Sequence, residues 1–373
     1  MSLTHSPGLY IHVPFCQSKC PYCDFYSIPE VNLIPAYLKA LEQEAHRYRE
    51  ALGPFDTLYL GGGTPSLLTN AQLVTLMKNL RRHFRLLPDA EITLEANPDD
   101  VTPEKLRLLQ DLGVNRLSLG VQSLDEAELR FLGRRHTARQ ARRALELARA
   151  VGFGNLGVDL MYGLPGQTQE AWLHSLEQVL EFHPEHLSCY QLTLAPDTPL
   201  GRRAARGEIT PLEEEEERAF FLLTSRFLVE RGYLHYEVSN FAREEEYCCR
   251  HNRKYWRHEP YLGLGAGAHS FDGGRRWWNF SSVEQYGSSL KAGQAPLAGE
   301  ETLTPTQLRL EALYLGFRTR EGVSLDLLRP QPRWRTVLAE LRRTGLVRVA
   351  DGRLITTPQG MVVADRLPLL FAE

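Results

Sequence analysis

Along the first half of the chain, short runs rich in Leu, Ile and Val recur with longer helix-like runs between them. The short runs predict strands at Gly8–Val13, Phe55–Leu60, Ala90–Ala96, Asn115–Val121, Asn155–Met161 and His186–Leu192. Helices are expected near Leu33–Ala51, Ala71–Phe84, Pro103–Leu112, Asp125–Leu132, Ala138–Val151 and Glu170–Phe182. Strands alternating with helices imply right-handed βαβ units and a parallel sheet. Helices would cover its outer face. Such a sheet is either a doubly wound layer or a partial barrel. A further helix is expected over Thr210–Gly232, its acidic start at Glu213–Glu217 favoured by the helix dipole. From Thr302 the pattern changes. Helices at Gln307–Phe317, Leu325–Leu328 and Trp334–Thr344 precede a hairpin over Leu346–Thr356, turned by Asp351-Gly352. This predicts a small winged-helix-like α+β domain. The expected division is a barrel core over 1–240, a connecting region over 241–300 and the C-terminal domain over 301–373.

Composition narrows the function. The 373 residues are 43% hydrophobic and 24% charged, ordinary for a globular chain. A formal net charge of −3 argues against nucleic acid as the main partner. The run Arg134, Arg135, Arg139, Arg142 and Arg143 reads as a solvated helix face. No stretch of about 18 apolar residues is present, and Met1–Gly8 lacks the basic and apolar segments of a secretory leader. A cytoplasmic, reducing location is expected. There, the crowding of Cys16, Cys20 and Cys23 directly after the first strand signals metal binding rather than disulfides. Thiolates suit an iron–sulfur cluster. Three donors on a four-iron cubane leave one iron open to a small chelating molecule, as a catalytic zinc keeps one position free. A zinc site would usually add a second ligand pair, and none stands at matching spacing.

The segment Tyr10-Ile-His12-Val-Pro-Phe-Cys16-x-x-x-Cys20-x-Tyr22-Cys23 resembles the radical S-adenosylmethionine (SAM) superfamily. More narrowly, it resembles the branch containing oxygen-independent coproporphyrinogen III dehydrogenase and the HemW-type heme chaperones. The resemblance runs from Tyr10 through the last hairpin. It implies a partial (β/α)6 TIM-type barrel, with a 4Fe–4S cluster on Cys16, Cys20 and Cys23 at the open end of the strands. It also implies that Tyr10, Tyr22, Gly62, Gly63, Thr64, Glu95, Gln122, Arg134 and Asp159 contact SAM. Of these, Gly62, Gly63 and Thr64 would meet the amino group, Arg134 the carboxylate and Asp159 the ribose. Thr193 and the Gly263–His269 segment would complete the pocket. Several of these residues sit at the C-terminal ends of successive strands, where barrel sites are built.

Two departures separate the chain from the dehydrogenase, whose pattern is Cys-x-x-x-Cys-x-x-Cys-x-Cys. Phe25 stands where its fourth cysteine would be, and only nine residues precede Tyr10. The His251-Asn252-Arg253-Lys254-Tyr255-Trp256 motif is typical of HemW-like proteins. By that resemblance His251 would contact heme, since imidazole is a common axial ligand. Tyr255 and Trp256 would stack on the macrocycle, and Arg250, Arg253, Lys254 and Arg257 would meet propionates. Cys248 and Cys249 form a rival ligand pair. The function implied is a heme chaperone serving an apo-hemoprotein acceptor, including one at a membrane, with an electron donor for the cluster. The alternative is oxidative decarboxylation of coproporphyrinogen III through a 5′-deoxyadenosyl radical. No catalytic residue is assigned.

Overall fold

A computed structural model of the chain describes residues 6–372; the first five residues, part of the stretch inspected for a leader, lie outside it. All six expected strands are present. They are β1 (Gly8–Val13), β2 (Phe55–Gly62), β3 (Leu86–Ala96), β4 (Arg116–Gln122), β5 (Leu156–Tyr162) and β6 (His186–Gln191). They pair in parallel in sequence order. Helices between them begin at local caps. Thr69, Thr102, Asp125, Thr137 and Thr168 each accept a backbone N–H of the first turn. The acidic helix spans Glu214–Glu230, and Glu213 and Glu216 close its capping box.

The region expected to be a connector belongs to the main sheet. β7 (Leu234–Glu237) and β8 (Asn240–Ala242) extend it beyond β6, while β9 (Tyr261–Leu264), β10 (His269–Phe271), β11 (Arg275–Asn279) and β12 (Leu297–Thr302) extend it beyond β1. The result is one sheet of 12 strands whose parallel part curls into a partial barrel. Leu9, Ile11, Leu58, Leu60, Leu94, Leu117, Leu119, Val158, Leu160 and Leu187 point outward and are buried under the helices.

The C-terminal domain has its own core of Leu313, Phe317, Leu341, Val347, Leu354 and Phe371. Its sheet is β13 (Val323–Ser324), β14 (Val347–Ala350) and β15 (Arg353–Thr356), in the order β13-β15-β14. Asp351 and Gly352 turn the β14–β15 hairpin with positive φ at both residues, which is why Asp-Gly was a strong signal. Backbone bonds between Val238 and Arg318 and between Tyr236 and Arg320 seat this domain against β7.

Candidate functional site

Side chains alternate across a strand, so burying the Leu and Val positions under helices turns the intervening residues into the barrel lumen. Those residues are polar: Thr57 and Tyr59; Glu91, Thr93 and Glu95; Arg116 and Ser118; Asp159; His186 and Ser188. Register places Thr93 beside Tyr59 and Arg116, Glu95 beside Ser118, and Asp159 beside Ser188. Gly61, Gly120 and Gly157 keep space between these groups; a Cβ at Gly61 would come within 3.0 Å of the Glu95 carboxylate.

At the mouth, the Cys16–Cys23 loop leaves β1 and folds back so that Cys16 N–H bonds Ile28 O. His12 anchors it, its ring bonded to Tyr10 OH and Tyr26 O at 3.0 Å each. The three cysteines are half-buried and free of disulfides. Thr64 donates to Cys16 Sγ at 3.4 Å. Gly62 has φ +104, and a Cβ there would lie 2.4 Å from the His12 ring, so only glycine fits. Its N–H donates to Glu95 Oε2 at 3.2 Å, and Tyr59 OH donates to Glu95 Oε1 at 2.7 Å. Burial pushes the Glu95 carboxyl up to about 7, helped by the charge of Asp159 and opposed by the Tyr59 hydrogen bond. Burial likewise raises Asp159 against the hydrogen bonds of Ser188 and Ser118.

Arg134 reaches in from the loop after β4. It donates to Asn97 Oδ1 at 2.5 Å and Gly120 O at 2.8 Å, and lies 3.5 Å from Cys20 Sγ and 3.4 Å from Tyr22 OH. Its Nε is buried without a partner. Gln122 ends β4 with φ 65, next to a register shift. Eight of the nine expected SAM residues therefore sit around one opening, and Tyr10 lies deeper in the lumen, tilted against Tyr59 and stacked on His251.

His251 lies at the other end of the barrel, and the structure does not present it to a ligand. The short helix Arg250–Trp256 closes the floor. Glu91 caps it from β3, accepting the N–H groups of Arg250 and His251 at 3.0 Å each. The imidazole is 1% exposed and packs against Tyr10 and Tyr59. Its Nδ1 pairs with Thr57 Oγ1 at 2.7 Å and its Nε2 with Tyr255 OH at 2.9 Å. Burial, with the charges of Lys254 and Arg116, lowers it to about 3, so it is a neutral core histidine. The basic residues expected at propionates are also engaged. Lys254 pairs with Asp56 and Glu259, Arg250 with Asp56, and Arg253 and Arg257 with Glu321. Cys248 and Cys249 are buried thiols, and burial raises both to about 12.

The radical SAM superfamily pattern matches residues 10–179, and that of the HemN C-terminal domain matches residues 303–363. The heme chaperone HemW of Bacillus subtilis is 36% identical, over 96% of this chain and 97% of that protein. The heme chaperone HemW of Escherichia coli is 41% identical, over 70% and 69%. This chain belongs to the HemW group of the radical SAM superfamily. Among solved structures, coproporphyrinogen III oxidase (HemN) from Escherichia coli, a radical SAM enzyme, superposes with a TM-score of 0.82 at 26% identity, covering 98% of this chain and 90% of that one.

The cofactors of the radical SAM superfamily are a 4Fe–4S cluster and SAM. Among the described residues no three His, Cys, Asp or Glu side chains are closed on a common point, so the fit is one of donor type and placement. Three thiols share one loop, and burial, with the neighbouring Cys20 and Cys16, raises the Cys23 thiol. Beside them stand the buried, unpartnered Arg134 Nε and the carboxylates of Glu95 and Asp159. This set suits an amino acid with a cationic amine and an anionic carboxylate. Sequence reasoning missed Tyr59, Glu91 and Arg116. The signal was present: polar residues at every second position of β3 and β4 mark a polar lumen.

Proposed function

We propose that this protein is a HemW-type heme chaperone. It holds a 4Fe–4S cluster on Cys16, Cys20 and Cys23, binds SAM at the barrel mouth, and carries heme to an apo-hemoprotein. When bound, the cluster supplies a one-electron reductant and an iron with a free coordination site. The chain's own groups bind and orient. Arg134 takes the SAM carboxylate through charge-assisted hydrogen bonds. The Gly62–Thr64 segment and Glu95 receive the amino group, and Asp159 the ribose. Tyr22 and Gln122 line the same opening, and Tyr10 stands deeper beneath it. An electron donor, and an acceptor that includes membrane-associated hemoproteins, complete the reading; no helix among the described residues is long and apolar enough to cross a membrane.

The observation that carries this reading is near full-length likeness to HemW proteins, joined to Phe25 in place of a fourth cysteine. Phe25 is 70% exposed beside the cluster loop. The likeness to coproporphyrinogen III oxidase favours a second reading, oxidative decarboxylation of a porphyrinogen. One experiment separates them. Anaerobically reconstituted protein is given heme, and separately coproporphyrinogen III with SAM and a reductant. Stable heme binding without protoporphyrinogen is expected; turnover to protoporphyrinogen would overturn the chaperone reading.

A further inference from the structure

Below the floor helix, between the barrel and the C-terminal domain, lies a cleft of 550 Å³ that the SAM end does not use. This falls within the roughly 300–1,000 Å³ of small-molecule sites. One wall is the β14–β15 hairpin. Register pairs Arg348 with Ile355 and Ala350 with Arg353. Alternate residues share a face, so these four turn toward the cleft while Val347 and Leu354 enter the domain core. The facing wall is the end of the floor helix, with Trp256 half-buried there.

The charges are unevenly matched. Arg253 and Arg257 are neutralised by Glu321, Arg253 also pairing with Glu245 at 2.7 Å. Arg320 reaches a carboxylate only at 3.7 Å. Arg353 spends its guanidinium on the carbonyls of Glu321 and Gly322, which leaves its charge unpaired. The Arg348 side chain has no hydrogen bond or ion pair among the described residues. Of the acidic lining, Asp351 lies at the hairpin tip, and Glu237 is buried, bonded to Ser239 N–H and Asn240.

We propose that this cleft is the heme site. The macrocycle lies between Trp256 and Ile355, and the two propionates meet Arg348 and Arg353 on the hairpin and Arg320 at the rim. The inference rests on the heme-chaperone reading and locates its cargo. It moves heme from His251 to the last residue of the same motif and to the C-terminal domain. A flat apolar ring bearing two carboxylates is what an aromatic and an aliphatic surface flanked by spaced guanidinium groups recognise. The lining among the described residues offers no His, Cys or Met, and its tyrosine, Tyr236, is buried with its OH engaged by His186 Nε2 and Cys249 N–H. Recognition therefore runs through the ring and its propionates, and the iron is left accessible to the acceptor.

The test uses full-length protein titrated with heme and with iron-free protoporphyrin IX, followed by absorbance and tryptophan quenching. Arg348→Glu/Arg353→Glu changes exposed hairpin positions. It should weaken both ligands about tenfold or more, while SAM binding and cluster content hold. Arg342→Glu/Arg343→Glu, on an exposed stretch away from the cleft, should leave both affinities unchanged. Trp256→Phe should reduce the quenching. Heme binding untouched by the hairpin reversal would overturn the cleft and leave the chaperone reading intact. Heme bound while iron-free porphyrin is refused would also overturn it, because iron ligation would then be the anchor. No heme binding by the unaltered protein would defeat the chaperone reading itself.

Discussion

Arg134 and Glu95 show how individual residues are prepared by their surroundings. Arg134 has Asn97 and Gly120 fixing one nitrogen, while its Nε stays buried and unpaired. Arg134→Lys keeps the charge but not the planar fork, so SAM affinity in equilibrium dialysis should fall about tenfold or more. Glu95 is neutral below its value of about 7 and charged above it. An amino group that donates hydrogen bonds prefers the charged carboxylate whether or not it is itself protonated, so SAM should bind more tightly as pH rises from 6 to 8. Glu95→Gln should flatten that dependence, and a slope unchanged in the variant would count against the pairing. Such residues were legible in the sequence because strand ends and cysteine spacing are local patterns. The burial of His251 was not legible. Its partners Thr57 and Tyr59 lie nearly two hundred residues away along the chain, and the motif reads the same whether its histidine faces solvent or core.

At the scale of elements, the helix Arg250–Trp256 is held by contacts rather than by propensity. It has seven residues, too few to persist alone. Its first N–H groups are capped by Glu91, and its side chains fill the barrel floor. Glu91→Gln would set an amide N–H against one of those donors and leave the buried Arg116 less compensated. A loss of about 2–4 kcal/mol is expected from urea unfolding. His251→Ala removes a packed ring and leaves Thr57 without its partner, for about 3 kcal/mol. The alternation of β1–β6 with helices was readable because each element is long and periodic. β7 to β11 escaped because they have only three to five residues, and the attachment of these added strands to the barrel, β9 to β1 and β8 to β6, is set by partners remote in sequence. The Asp351-Gly352 hairpin was found because its turn chemistry is self-contained.

At the scale of the whole molecule, the two domains are joined through Glu321. Burial alone would raise its carboxyl, but Arg257 and Arg253 outweigh burial and hold it at about 2. A carboxyl held below its ordinary 4.5 adds stability above that pH and loses it as pH falls toward 2. His251, lowered from 6.5 to about 3, acts in an earlier window. The unfolded chain takes up its proton first, so stability falls as pH drops below 6.5. Thermal melting should therefore decline in two stages on acidification, and Glu321→Gln should remove only the lower one. The stopped floor has one more consequence. A tube of about 20 Å, from the six residues of β1 at about 3.3 Å each, that is corked at one end is a dead end. Whatever enters at the mouth must leave by the same opening, so arrival and departure queue there. Anything lodged beneath the cork senses the upper end as a nudge passed down through packed side chains, by way of Tyr59, Tyr10 and His251 or of His186 and Tyr236.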